Sequence, residues 1–208
     1  MDQNILQQLR RWDNTSVYPI ILLGGPSGIG KTTQARILSR DLGIPYTSHD
    51  LHGNARDFIQ HLSEILQEHH CAIVDRVFLD GNMTWIENLK SIFPKEMEVA
   101  LFSIFPVIHE ELLEIAVQNM QTRAIALEAS GYADEPKRMK CGKTLEDHRK
   151  IHQRQIDPLS ERQRKRVPRV AYIEILEKGV QRSIEDIALA YREALAGLLH
   201  QGKKRKRA

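Results

Sequence analysis

The sequence predicts an α/β fold, a three-layer sandwich in which helices cover both faces of a parallel five-stranded sheet. Short apolar stretches alternate with longer stretches of helical apolar spacing, which is the pattern of strand–helix–strand units. A glycine-rich run follows the first apolar stretch directly. No repeat or low-complexity linker interrupts the 208 residues, 41% of which are apolar. We therefore expect one domain over residues 1–202 and a short basic tail over 203–208.

The predicted strands are short and apolar. They cover residues 20–23, 43–47, 72–74, 99–105 and 170–176. Helical spacing predicts helices over 33–42, 58–68 and 110–128, and a shorter one over 85–92. Ser183 is expected to cap the last helix. The apolar face of that helix comprises Ile184, Ile187, Ala188, Tyr191, Leu195, Leu198 and Leu199.

The glycine-rich run is Gly25-Pro26-Ser27-Gly28-Ile29-Gly30-Lys31-Thr32, which fits the spacing G-x-x-x-x-G-K-[ST] of a phosphate-binding loop. Its glycines let the backbone curl, so that successive N–H groups point at a polyphosphate. Lys31 can reach the outer phosphates, and the Thr32 hydroxyl can hold Mg²⁺. The sequence therefore predicts a site for ATP and Mg²⁺ that extends from Gly25 to Thr33 in a P-loop NTPase fold.

Carboxylates follow two of the predicted strands. Asp75 ends the third strand and is expected to support the metal, while Arg76 beside it grips a substrate anion or balances Asp75. A plain surface ion pair is the alternative for these two residues. Asp50 follows the second strand and is expected to accept the proton of an attacking hydroxyl. The alternative is that Asp50 or Asn54 caps the next helix.

Positive charge is concentrated in two places. Residues 137–169 carry a balance of +8 and the tail 203–207 carries +5, although the whole chain has a net charge of only +3. Apolar periodicity also fails between residues 131 and 168. This basic segment is expected to close over an anionic ligand.

The lengths of the apolar runs, the start of the chain and the cysteine content argue against several classes of protein. No run approaches the roughly 20 apolar residues of a membrane span, and the polar start lacks an export signal, so a cytoplasmic protein without membrane contact is expected. Cys71 and Cys141 are far apart and form no C-x-x-C pair. A metal site at His69-His70-Cys71 is less well supported than a helix end that leads into a buried strand.

Taken in order along the chain, these features resemble the thymidylate kinase and deoxynucleoside kinase branch of the small P-loop kinases. The likeness depends on GPSGIGKTTQ, on the strand that ends in Asp75-Arg76 and on the basic region before the last strand. The chain departs from the thymidylate kinases after the second strand. There it has His49-Asp50-Leu51-His52-Gly53-Asn54 where those enzymes usually show an acidic-Pro-Gly signature.

In that family the basic segment is a lid whose arginines close on the transferred phosphoryl group. The resemblance therefore implies a lid over about 131–168, with cations that act together with Lys31, Asp50, Asp75 and Arg76. A charged, solvated helix is the alternative for each lid cation. The candidate cations are Arg138, Lys140, Lys143, Arg149 and Arg154.

The leading expectation is an ATP-dependent kinase that phosphorylates a nucleoside or a nucleoside monophosphate. The alternative acceptor is a hydroxyl in DNA or RNA, at a chain end or on a modified base such as a hydroxymethyl pyrimidine, which the basic segment and tail favour. A third possibility is an NTPase without an acceptor, although the Asn-Lys-x-Asp signature of GTPases is absent. The sequence leaves open whether the chain forms a homodimer.

Overall fold

The structure is a computed structural model that describes residues 2–13, 15–52, 54–75, 88–89, 91, 98–129, 144–147, 149–150 and 169–201. Its strands are β1 Val17–Leu23, β2 Tyr46–Ser48, β3 Ala72–Asp75, β4 Glu98–Pro106 and β5 Val170–Ile173, followed by β6 Leu176–Glu177 and β7 Val180–Gln181. The first five form one sheet in the order β2-β3-β1-β4-β5, and all four neighbouring pairs are parallel. The last two strands form a separate antiparallel hairpin.

The helices lie between these strands and at both ends of the described chain. They are α1 Asp2–Leu9, α2 Lys31–Leu42, α3 Ala55–His69, α4 Glu110–Ala129 and α5 Ile184–Gln201. Short 3₁₀ turns cover Arg10–Trp12 and His49–Leu51. None of the helices in the described ranges has both the length and the apolar composition of a bilayer-crossing segment.

Alternate residues of the central strands point to opposite faces of the sheet, because side chains alternate along a strand. On one face, Ile21 and Leu23 belong to a core shared with α1, α2, α4 and α5. On the other face, Ile20 and Leu22 belong to a core shared with α3. The predicted three-layer α/β architecture is therefore confirmed.

Strand register fixes where the candidate site lies. Asp75, the last residue of β3, is paired with Leu23 at the end of β1 and with Ser48 at the end of β2. Three strands thus end side by side, and the glycine-rich run begins immediately after Leu23. The segments that follow these strands are delivered to one edge of the sheet, which is where ligands of open α/β folds bind.

The structure differs from the predicted elements at both ends of the chain. Helix α1 was not predicted, because eight residues are too few to show a clear helical period, yet Ile5 and Leu9 are buried in the core. The predicted strand 170–176 ends at Ile173. The chain then turns at Lys178 and Gly179, both with positive φ, as a two-residue hairpin turn requires.

The prediction for the last helix is correct except at its first residue. Ile184 is 52% exposed, whereas the other six residues predicted for its apolar face are buried. Of the predicted helix 85–92, only residues 88, 89 and 91 are described, and they are helical. The rest of that helix lies outside the described residues.

Tyr191 on α5 provides a test of this core. Its side chain is 1% exposed, and its hydroxyl has no hydrogen-bond partner within the described ranges. Since an unsatisfied buried hydroxyl is unfavourable, we expect Tyr191→Phe to leave the free energy of unfolding unchanged or to raise it by about 1 kcal/mol. Leu195→Ala, at a fully buried position on the same helix, should lower it by about 2–5 kcal/mol. Urea denaturation measures both; a clear loss in Tyr191→Phe would contradict this description of the core.

Candidate functional site

The glycine-rich run forms a tight loop between β1 and α2. Gly25, Gly28 and Gly30 have φ values of +123°, +89° and +87°, a region that other residues rarely adopt. Gly30 is also the residue that precedes the first turn of α2. Successive glycines with positive φ curl the backbone into a concave cradle of N–H groups, which suits an anion at the positive end of a helix.

Helix α4 supports this loop from behind. A Cβ atom placed on Gly28 would lie 2.3 Å from the carbonyl oxygen of Ala116, so the loop backbone and α4 are in direct contact. The side-chain Nδ2 of Asn119 also donates a hydrogen bond to the Gly28 carbonyl oxygen at 2.8 Å. The loop is therefore held by α4 as well as by its own glycines.

Lys31 lies at the start of α2, almost hidden from water, with 7% of its surface exposed. Its Nζ donates a hydrogen bond to the Pro26 carbonyl oxygen at 2.6 Å, across the loop. Burial lowers the pKa of Lys31 to about 8, although the charges of Asp75 and Asp50 act in the opposite direction. The loop thus encloses a cation that has lost most of its hydration, and a phosphate group would stabilise its charged form.

Thr32 and Asp75 meet beside the loop. The Thr32 hydroxyl donates to Asp75 Oδ2 at 2.5 Å, and the Tyr46 hydroxyl donates to Asp75 Oδ1 at 3.0 Å. Asp75 itself is 4% exposed. Burial and the neighbouring Asp75 carboxylate raise the pKa of Tyr46 to about 12. Mg²⁺ binds through oxygen ligands and keeps several of its waters. The Thr32 hydroxyl and the Asp75 carboxylate, side by side at the edge of the loop, are oxygen ligands that suit this ion.

Asp50 lies in the 3₁₀ turn that follows β2, and its side chain is exposed. Its backbone N–H donates to the Ser48 hydroxyl at 3.2 Å. Ser48, two residues before Asp50, is paired with Asp75 at the end of β3, so Asp50 lies at the same edge of the sheet as the loop. Its charge opposes the lowering of the Lys31 pKa. The cap of α3 is Asn54, whose side chain accepts a hydrogen bond from the Asp57 N–H. Asn54 therefore fills the capping role that the sequence left open between the two residues.

The remaining predicted site residues divide into two groups. Pro26, Ser27, Ile29 and Thr33 lie in the loop or in the first turn of α2, as expected. Arg76 and Arg138 lie outside the described residues, as do Lys140, Lys143, Arg154 and the basic tail.

Arg149 is the one predicted lid cation that is described. Its guanidinium is ion-paired with Glu110 in the first turn of α4, and Glu146 lies 3.9 Å away. Within the described residues, no contact joins Arg149 to Lys31, Thr32 or Asp75.

Two residues at the site were missed by the sequence analysis. In the sequence, Tyr46 is one residue of the predicted second strand, and Asn119 is one of several polar residues on a predicted helix. An exposed polar residue on a helix carries no signal of its own. The contacts of these two residues with Asp75 and Gly28 depend on tertiary structure alone.

The structure supports the interpretation of His69-His70-Cys71 as a helix end that leads into a buried strand. His70 ends α3 with a φ of +63°, and its N–H donates to the Leu66 carbonyl oxygen. Cys71 is buried, and burial raises the pKa of its thiol to about 12. In the part of the chain that is described, no group of three or more His, Cys, Asp and Glu side chains is arranged to hold a metal ion.

Comparison with known proteins identifies the fold. A gluconokinase from Sinorhizobium meliloti 1021 matches with a TM-score of 0.51 and 16% identity, over 91% of this chain and 95% of its own. A candidate kinase from Chloroflexus aurantiacus J-10-fl matches with a TM-score of 0.50 and 18% identity, over 85% of this chain and 98% of its own. The chain has the fold of small P-loop kinases. No protein-family profile matches it, and no curated protein does.

The predicted P-loop fold is confirmed, and the narrower thymidylate kinase and deoxynucleoside kinase branch stays a prediction.

The pKa of Lys31 leads to a prediction about anion binding. Since its folded-state pKa is about 8, Lys31 loses its proton as the pH rises through that value. A bound polyphosphate favours the charged form of Lys31, so binding above pH 8 should take up a proton. As the pH rises above 8, the affinity should fall by up to about tenfold for each pH unit. Calorimetry with tripolyphosphate at pH 7, 8 and 9, in two buffers of different ionisation enthalpy, measures both quantities.

Lys31→Arg is the matched control, because an arginine stays charged over this range. Any binding that it retains should show no proton uptake. Proton uptake near zero at pH 9 in the unmodified protein would contradict the assignment.

Proposed function

We propose that the protein is an ATP-dependent phosphotransferase that transfers the γ-phosphoryl group to a hydroxyl group of a nucleoside. The observation that carries this proposal is the position of Asp50. Asp50 lies in the turn that follows β2, whose last residue is paired with Asp75, so this second carboxylate is delivered to the same edge of the sheet as the phosphate loop. A protein that only bound a nucleotide would not need this second carboxylate.

The loop from Gly25 to Thr33 would bind the triphosphate through its N–H groups, with Lys31 on the outer phosphates. Lys31 would then exchange its bond with the Pro26 carbonyl for a phosphate oxygen. Thr32 and Asp75 would hold Mg²⁺, which when bound neutralises charge on the phosphate oxygens. Tyr46 would keep the Asp75 carboxylate in a fixed orientation through its hydrogen bond to Oδ1.

Asp50 would act on the acceptor. As the acceptor oxygen forms its bond to the γ-phosphorus and the bond from that phosphorus to the β–γ bridging oxygen breaks, the hydroxyl proton passes to the Asp50 carboxylate and ADP leaves. A monophosphate acceptor needs no such base, because its oxygen is already ionised. The presence of Asp50 therefore favours a hydroxyl acceptor.

The acceptor class is supported by the resemblance to the deoxynucleoside kinases. The gluconokinase that shares the fold also phosphorylates a small molecule, as its name states. The charge balance of +8 over residues 137–169 and +5 over 203–207 favours the second candidate, a hydroxyl within DNA or RNA. We propose, as the resemblance implies, that Arg138 and Arg149 belong to a lid that closes on the transferred group. Arg76 is proposed to grip a substrate anion or to balance the charge of Asp75.

The acceptor can be found by direct transfer. Labelled ATP and Mg²⁺ are offered with separate pools of nucleosides, nucleoside monophosphates, sugar acids, DNA and RNA. We expect label on the nucleosides, and label on DNA or RNA would favour the second candidate. If phosphate is released from ATP at the same rate with and without every acceptor pool, the protein is an NTPase. Lys31→Ala should abolish transfer to any acceptor without unfolding the protein.

Substitution of Asp50 tests its role as the base. Asp50→Asn should lower kcat for a hydroxyl acceptor by about 10²–10⁴, with little change in ATP affinity, because the loop is intact. Glu193→Gln makes the same change of charge at an exposed position on α5 and should leave kcat unchanged. If Asp50→Asn retains more than half of the activity, Asp50 is not the base.

A further inference from the structure

Asn119 on α4 contacts the phosphate loop but belongs to none of the motifs discussed above. Its Nδ2 donates to the Gly28 carbonyl oxygen at 2.8 Å. Ala116, one turn earlier on the helix, and Met120, the next residue, flank the same glycine, since a Cβ on Gly28 would lie 2.3 Å from the Ala116 oxygen and 3.0 Å from Met120 Cγ. The loop therefore rests on one face of α4, at positions i, i+3 and i+4.

The geometry of the peptide bond gives this contact a consequence. The Gly28 carbonyl and the Ile29 N–H belong to one trans peptide unit, so they point in opposite directions. Because Asn119 holds the Gly28 carbonyl toward α4, the Ile29 N–H points away from α4. Rotation of that unit changes ψ of Gly28, which a glycine permits over a wide range, together with φ of Ile29.

We infer that Asn119 is a positioning residue, which keeps the Ile29 N–H directed at the bound phosphates. The inference rests on the proposed function only in taking the loop's ligand to be a triphosphate. Asn119 acts through the loop backbone and touches no reacting atom in this role. Its effect must therefore be the same for every ligand that shares the phosphate chain.

Tripolyphosphate and ATP together test this inference. We expect Asn119→Leu, which is similar in size but has no donor, to weaken binding of both ligands by the same factor of about two to ten, the range for one lost hydrogen bond. Bound tripolyphosphate should slow hydrogen exchange at the Ile29 amide, and Asn119→Leu should reduce that protection, while exchange in β4 stays unchanged. Gln118→Ala, an exposed neighbour on the same helix, should change neither quantity.

Several outcomes would overturn the inference. Weaker binding of ATP alone would make Asn119 a contact of the nucleoside part. Unchanged binding of both ligands, with or without a lower Tm, would make it a structural residue only. Should Asn119→Leu fail to fold, Asn119→Asp keeps the shape and removes the donor. The new carboxylate also repels the phosphates, and the part of the affinity loss that this repulsion causes should shrink in high salt, where it is screened. The part that the missing donor causes should remain.

These results can be separated from a failure of the proposed function. If labelled ATP is never transferred to an acceptor, the proposed activity fails. The exchange rate of the Ile29 amide and the affinity for tripolyphosphate would still decide the role of Asn119.

Discussion

The candidate site depends on keeping two opposite charges out of water at the edge of one sheet. Lys31 and Asp75 are 7% and 4% exposed, and burial of either charge alone would be costly. Strand pairing brings them together, because Asp75 ends β3 opposite Leu23 and the loop that leads to Lys31 starts at the next residue. Hydroxyl groups of Thr32 and Tyr46 satisfy both oxygens of the carboxylate.

Much of this arrangement could be predicted from the sequence. The phosphate-binding loop is a local structure, in which every residue acts within one turn of its neighbours. Its glycine spacing, with the lysine and the threonine that follow, can therefore be recognised in the sequence. Asp75 could be predicted because a carboxylate at the end of an apolar strand is unusual. The strands and their parallel pairing follow from the alternation of strand and helix patterns.

Other parts could not be predicted, for physical reasons that differ from residue to residue. Tyr46 and Asn119 act through contacts 29 and 91 residues away in the sequence, with Asp75 and Gly28. A tyrosine in a strand and an asparagine on a helix surface are both ordinary residues in those places. Helix α1 is too short to show a period, and its burial depends on the distant helix α5.

The contact between α1 and α5 has a consequence for synthesis of the chain. Ile5 and Leu9 are buried in the same core as Leu198 and Leu199, and the side chains of Gln8 and His200 lie 3.3 Å apart, although 192 residues separate them. Helix α1 therefore cannot complete its packing until α5, which follows much later in the chain, has also been translated. Nascent chains must carry an exposed apolar segment through elongation, which makes them candidates for chaperone binding.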